Sequence, residues 1–156
     1  MNVRKATHDD VPAIITLFQQ TIRIVTARDY TGPQRHVWAS RGEDMIRWKS
    51  KIDTQHFLVA EQQDQLLGFG SITAGGHLDM LFVHQAHQRN GIATILLDAL
   101  ERWATHQSVN YVTTDASLTA RPFFAHHGYS LIRKQKNVIE DEVLVNYRMQ
   151  KVLSPL

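Results

Sequence analysis

Three features of the sequence predict a mixed α/β fold. Val11, Ile14, Ile15, Phe18 and Ile22 recur at helical spacing, as do Ile92, Leu96, Ala99, Leu100 and Trp103. Short apolar runs at residues 57–60, 66–72 and 78–83 read as strands bounded by polar turns. Residues 78–117 then run strand, helix, strand, an order that joins two parallel strands by a right-handed crossover. Helices packed on a mixed sheet, in two or three layers, follow.

The elements take their places in turn. Residues 2–6 form a short strand. Thr7 is a helix cap and Asp10 complements the positive helix end, with Pro12 in the first turn, where its missing N–H costs little. Gly32-Pro33 marks a turn, followed by short helices at residues 34–39 and 44–51. Strands 57–60 and 66–72 form a hairpin around Glu61-Gln62-Gln63-Asp64. Residues 78–83 are almost continuously apolar, as in a central strand covered on both faces. The long helix at 91–106 leads to a strand at 111–117. A short helix at 120–127 stops at Gly128, a residue suited to a left-handed cap. Strands at 129–135 and 143–151 finish the sheet.

Composition sets the class. The 156 residues, 43% hydrophobic and 21% charged, fit one globular domain spanning 1–156 and exclude disordered or collagen-like chains. No apolar run reaches the ~18 residues of a membrane span. No secretory leader is visible, and with no cysteine the expected location is cytoplasmic. The pI of 9.0 conceals a formal charge of only +2, and the basic residues are scattered rather than clustered. No nucleic acid or membrane is therefore expected as a partner, while small anionic ligands stay open.

The most informative stretch joins the buried strand to the long helix. In Gln88-Arg89-Asn90-Gly91-Ile92-Ala93 a polar loop enters a helix through glycine. The first N–H groups of a helix lack acceptors and sit at its positive end, so they can cradle a phosphate. Gly91 permits close approach, Ala93 leaves room, Thr94 adds a hydroxyl and Arg89 a charge. An ordinary turn eased by one glycine is the competing reading.

Gln88-x-x-Gly91-x-Ala93 resembles the Gln/Arg-x-x-Gly-x-Gly/Ala loop of the GCN5-related N-acetyltransferases, the GNAT family. Residues 78–83 look like that family's fourth strand, and Ala120-Arg121-Pro122-Phe123-Phe124-x-x-x-Gly128-Tyr129 like its later helix and turn. The resemblance covers essentially the whole chain. Asp29-Tyr30, Gln34 and Trp38-Ala39 are similar to a group of uncharacterised bacterial members. The resemblance implies a mostly antiparallel sheet whose parallel fourth and fifth strands splay apart, with flanking helices. It also implies acetyl-CoA as co-substrate in the gap between those strands. Its pyrophosphate falls to the N–H groups of Gln88, Arg89, Asn90, Gly91, Ile92, Ala93 and Thr94. Its pantetheine and acetyl group fall to the backbone of Leu81, Phe82 and Val83.

Catalytic groups are harder to place. Many family members have a tyrosine acid where this chain has Phe124, which cannot donate a proton and is expected to pack against coenzyme or core. The asparagine often found after the fifth strand is replaced, with Ser117 nearby as a weak acid or hydrogen-bonding group. Asp79 is the candidate base, with a buried structural carboxylate as the alternative. Tyr30, Gln34 and Trp38 are candidate acceptor-binding residues, and local packing is their alternative. His84-x-x-His87 and His126-His127 lack persuasive ligand spacing, so no metal is expected. The expected function is direct acetyl transfer to a primary amine of a small molecule or peptide, by a monomer or homodimer. A non-catalytic acyl-CoA sensor is the competing function.

Overall fold

The strands of the computed structural model, which describes residues 1–154, are β1 (Asn2–Lys5), β2 (His56–Gln62), β3 (Gln65–Ile72), β4 (His77–Val83), β5 (Tyr111–Ser117), β6 (Ser130–Ile139) and β7 (Glu142–Val152). They form one sheet in the order β1-β2-β3-β4-β5-β7-β6. Every neighbouring pair is antiparallel except β4 and β5, which are parallel. The mixed, mostly antiparallel sheet implied by the family resemblance is thus present.

Helices cover both faces, giving three layers. On one face lie α1 (Val11–Val25), α2 (Gly32–Ser40) and α3 (Met45–Thr54). Val11, Ile14, Leu17, Phe18 and Ile22 of α1 meet Trp48, Phe57, Val59 and Phe69 there. Phe18, Trp48 and Phe69 also pack ring against ring, and the Trp48 indole N–H donates to the Gly42 carbonyl at 2.9 Å. On the other face α4 (Ile92–His106) and α5 (Arg121–His126) bury Ile92, Leu96, Leu97, Leu100 and Phe124 against the sheet. No helix among the described residues is long and apolar enough to cross a membrane.

The start of α2 corrects the sequence reading. Gly32 and Pro33 are not a separate turn but the first residues of the helix, which runs to Ser40. Thr31 and Gln34 form a reciprocal capping box that starts the helix two residues before the expected position. Pro33 fits because its absent N–H would have had no helical partner. At the first helix the Asp10 carboxylate accepts the Thr7 N–H at 2.7 Å and also pairs with Arg4.

α4 approaches the sheet closely over β3. A Cβ added at Gly68 would stand 2.9 Å from the Phe82 carbonyl oxygen and 3.3 Å from both Ile92 and Leu96. Gly68→Ala is therefore expected to lower stability by about 1–3 kcal/mol through overpacking. The urea midpoint reads this directly, and an unchanged midpoint would contradict so close a contact.

Candidate active site

β4 and β5 are joined at only two registers, His77 with Thr113 and Leu78 with Thr114. Beyond Leu78 they part, opening a cleft of about 730 Å³ lined by both strands, α1, the α2–α3 segment, α5 and the β6–β7 hairpin. That volume suits a small-molecule site. The closed end is pinned by the Thr114 hydroxyl, which donates to the Leu78 carbonyl at 3.0 Å. Immediately afterwards β4 bulges: Ser71 pairs with Met80 and Ile72 with Leu78, leaving Asp79 without a partner in β3.

Past the bulge the strand alternates in which edge each residue presents. The Met80 and Phe82 carbonyls lie against the glycines of β3. The Val83 carbonyl faces away and accepts the Gln88 amide at 2.6 Å and the Thr21 hydroxyl at 3.3 Å. Two-residue periodicity puts the Leu81 backbone on the same, unpaired edge as Val83. Of the three β4 residues singled out in the sequence, Leu81 therefore has both backbone groups on the open edge. Val83 retains its N–H there, and Phe82 faces β3 with its ring among Phe18 and Phe69.

The loop before α4 is held open by its own side chains. Gln88 uses its amide to close the end of β4. Gly91 sits at the helix cap with φ 81°, and a Cβ there would meet nothing within 4 Å, so the space in front is open. The N–H groups of Gly91, Ile92, Ala93 and Thr94, at the start of α4, donate to no backbone acceptor among the described residues. Free donors at the positive end of a helix form a ready anion cradle. Arg89 is exposed beside it with φ 63°, and Asn90 is exposed too. Ile92 is buried, so only its backbone is on offer. Ala93 lines the cleft. The Thr94 hydroxyl lies 3.3 Å from a His127 ring nitrogen.

Asp79 is at the closed end. Its Oδ2 accepts from Lys51 Nζ at 2.5 Å and from Gln55 Nε2 at 3.0 Å, while Oδ1 has no partner among the described residues. Burial pushes the carboxyl pKa up, but the Lys51 and Gln55 hydrogen bonds and the Lys51 charge outweigh it and hold the group below the ordinary range. Ser117 lines the cleft, and its Oγ accepts the Ala120 N–H at 3.0 Å. Phe124 is buried and lies edge-on to Tyr129. The Tyr129 hydroxyl donates to Glu101 at 2.7 Å, and burial together with Glu101 keeps it protonated.

The three acceptor candidates separate. Tyr30 lines the cleft, and its hydroxyl donates to the Val145 carbonyl at 2.6 Å and accepts the Leu118 N–H at 2.9 Å. Gln34 lies outside the cleft lining, and its amide serves the helix cap and the Val143 carbonyl. Trp38, half-buried and edge-on to Tyr30 at 5.3 Å, reaches the cleft wall. Arg41, Arg47, Lys51 and Lys136 also line the cleft, and sequence reasoning missed them. The spacing of Arg47 and Lys51, one helical turn apart, was the available signal. Among the described residues, no group of three or more His, Cys, Asp or Glu is arranged to hold a metal ion.

The Asp79 pair predicts a pH dependence with a definite sign. A carboxylate with a lowered folded pKa stabilises the fold above its ordinary value of about 3.9, and that contribution is lost as pH falls through the lower folded value. Carboxyl NMR is expected to place the Asp79 midpoint below about 3.9, and Asp79→Asn to flatten this part of the stability profile. A midpoint at or above that value would contradict the pairing.

Comparison with known proteins agrees with this geometry. Residues 26–153 match the family model described as an acetyltransferase (GNAT) domain. The uncharacterised N-acetyltransferase YafP of Escherichia coli is 29% identical over 150 residues, covering 96% of this chain and 95% of that protein. A GCN5-related N-acetyltransferase from Rhodopseudomonas palustris superposes with a TM-score of 0.94 at 33% identity, covering 97% and 95% of the two chains. PaiA N-acetyltransferase from Thermoplasma acidophilum, solved with coenzyme A, shares the fold at 15% identity and a TM-score of 0.81, covering 97% and 98%. With a splayed β4–β5 pair, a free amide loop at its mouth and a matching family model over most of its length, the chain belongs to the GCN5-related N-acetyltransferase family.

Proposed function

We propose that the protein transfers the acetyl group of acetyl-CoA directly to a primary amine of a small molecule or peptide. The observation that carries this reading is the set of unpartnered N–H groups at the start of α4, beside a cleft opened by the unpaired edge of β4. Coenzyme A bound by the PaiA relative supports the choice of donor. Acetyl-CoA would supply an activated thioester, and the chain's residues bind, orient and handle protons around it.

In this reading the N–H groups of residues 88–94 hold the pyrophosphate, and Arg89 adds charge at the rim. The Leu81 and Val83 backbone groups on the open edge pair with the amides of the pantetheine arm as an added strand would. A strand N–H there also polarises the acetyl carbonyl, and its fixed direction avoids reorganisation during reaction. Phe124 supplies an apolar wall. With no cysteine in the chain, no acetyl-cysteine stage is available, and transfer goes straight to the acceptor.

Proton handling falls to Asp79 and Ser117. Lys51 and Gln55 fix Asp79 through Oδ2 and leave Oδ1 to accept a hydrogen bond from the acceptor amine. Its lowered pKa makes it a poor resting place for a proton, so it orients the amine and passes the proton on to water. Ser117, whose Oγ accepts from Ala120, retains its O–H to hydrogen-bond the departing thiolate, which takes its proton from water. Phe124 at the position of the family's usual tyrosine favours one further reading, an acyl-CoA sensor without turnover.

A thiol-release assay over a broad amine panel decides between them. The protein is expected to release coenzyme A thiol only with acceptor present. Gly91→Glu, which puts bulk and negative charge into the cradle, is expected to weaken acetyl-CoA binding at least about 100-fold by calorimetry. Unchanged affinity in that variant refutes the site, and tight binding without thiol release from any amine establishes the sensor.

A further inference from the structure

The lining of the cleft has an unbalanced charge. Four cations line it, Arg41, Arg47, Lys51 and Lys136, against two acids, Asp79 and Asp115. Both acids are neutralised where they stand, Asp79 by Lys51 at 2.5 Å and Asp115 by Arg148 at 2.6 Å. Arg41, Arg47 and Lys136 have no ion pair among the described residues. The nearby acids do not compensate. Asp44 caps α3, Asp29 accepts from Thr119, and Glu43, Glu140, Asp141 and Glu142 lie outside the lining.

These cations are distinct from the phosphate cradle. The cradle belongs to α4, which packs on one face of the sheet. Arg41 and Arg47 belong to the α2–α3 segment, held on the opposite face by Trp48, Phe18 and Ala39. Arg47 is one turn before Lys51, so both address the cleft from the same side of α3. Arg41 and Arg47 are exposed on the cleft wall, and a guanidinium so placed binds carboxylates through two parallel hydrogen bonds and repels ammonium groups. Trp38 lies on the wall as an apolar surface for a carbon chain.

We propose that the acceptor is an amino-carboxylate: its amine meets Asp79, and its carboxylate is recognised by Arg41 and Arg47, with Lys136 opposite. This assignment rests on the acetyl-transfer reading above and specifies its substrate class. The positive wall attracts such an acceptor during approach and disfavours polyamines.

The test uses matched pairs, ω-amino acids and short peptides, each as free acid and as carboxamide, which leaves the amine nearly unchanged. Thiol release is expected to show KM values about tenfold or more lower for the free acids. In the Arg41→Gln, Arg47→Gln double variant the ratio of the two KM values is expected to fall towards one. Its affinity for coenzyme A, and for dephospho-coenzyme A, is expected to stay at the parent value. Carboxamides or polyamines used as well as the free acids would overturn the proposal. So would a double variant that loses coenzyme A affinity, because the arginines would then serve the coenzyme. If no amine releases thiol, the acetyl-transfer reading fails, and calorimetry on protein saturated with coenzyme A still decides this one. Preferential binding of the free acids sustains the carboxylate site, and equal or absent binding removes it.

Discussion

The separation of β4 from β5 is the constraint on which the rest of the structure depends. A parallel pair that stayed zipped would leave one continuous sheet with no interior space. Here two registers hold, and the strands then diverge. The joint is reinforced locally: Thr114 donates to the Leu78 carbonyl, the Thr113 N–H to the Gly76 carbonyl, and the His77 ring lies 2.9 Å from the Thr113 hydroxyl. The bulge at Asp79 comes directly after it and re-aims the strand. The molecule is thus two half-sheets, β1-β2-β3-β4 and β5-β7-β6, meeting at one short seam.

An open seam leaves unpaired backbone groups, and the surrounding elements brace it without closing it. Thr21 of α1 and Gln88 both cap the Val83 carbonyl at the far end of β4. Tyr30 spans the other side, linking the loop after α1 to the end of β5 through Leu118 and to β7 through Val145. Its ring packs with Val37 and Leu144 in a small separate cluster. Tyr30 is therefore a strut whose hydroxyl proton is already committed, while the residue still lines the cleft. The bracing leaves free the backbone of Leu81, the amides at the start of α4, one oxygen of Asp79 and three cations.

The sequence made the local parts legible. Periodicity located α1 and α4, and the apolar run at 78–83 located the central strand, because those patterns record burial residue by residue. Gly91 was readable because few residues tolerate its backbone angle at a helix entry. Pairings across long separations were not readable. Nothing near Asp79 announces Lys51, 28 residues earlier, and nothing near Gln34 announces Val143, 109 residues later. The same limit hid the cationic wall, since Arg41, Arg47 and Lys136 come to line one cleft only after α3 and β6 have docked. Gly32-Pro33 misled for a local reason. Two turn-forming residues also suit the first turn of a helix, and the Thr31–Gln34 capping box decided between the two.

Amide hydrogen exchange with and without acetyl-CoA tests the central claim most directly, that one open strand edge and one amide loop form the coenzyme site. Slowed exchange is expected at Leu81 and Val83 and across residues 88–94, with little change at Phe82, whose backbone already faces β3. Protection confined to other strands, or no change along β4 and the loop at saturating acetyl-CoA, would contradict the account.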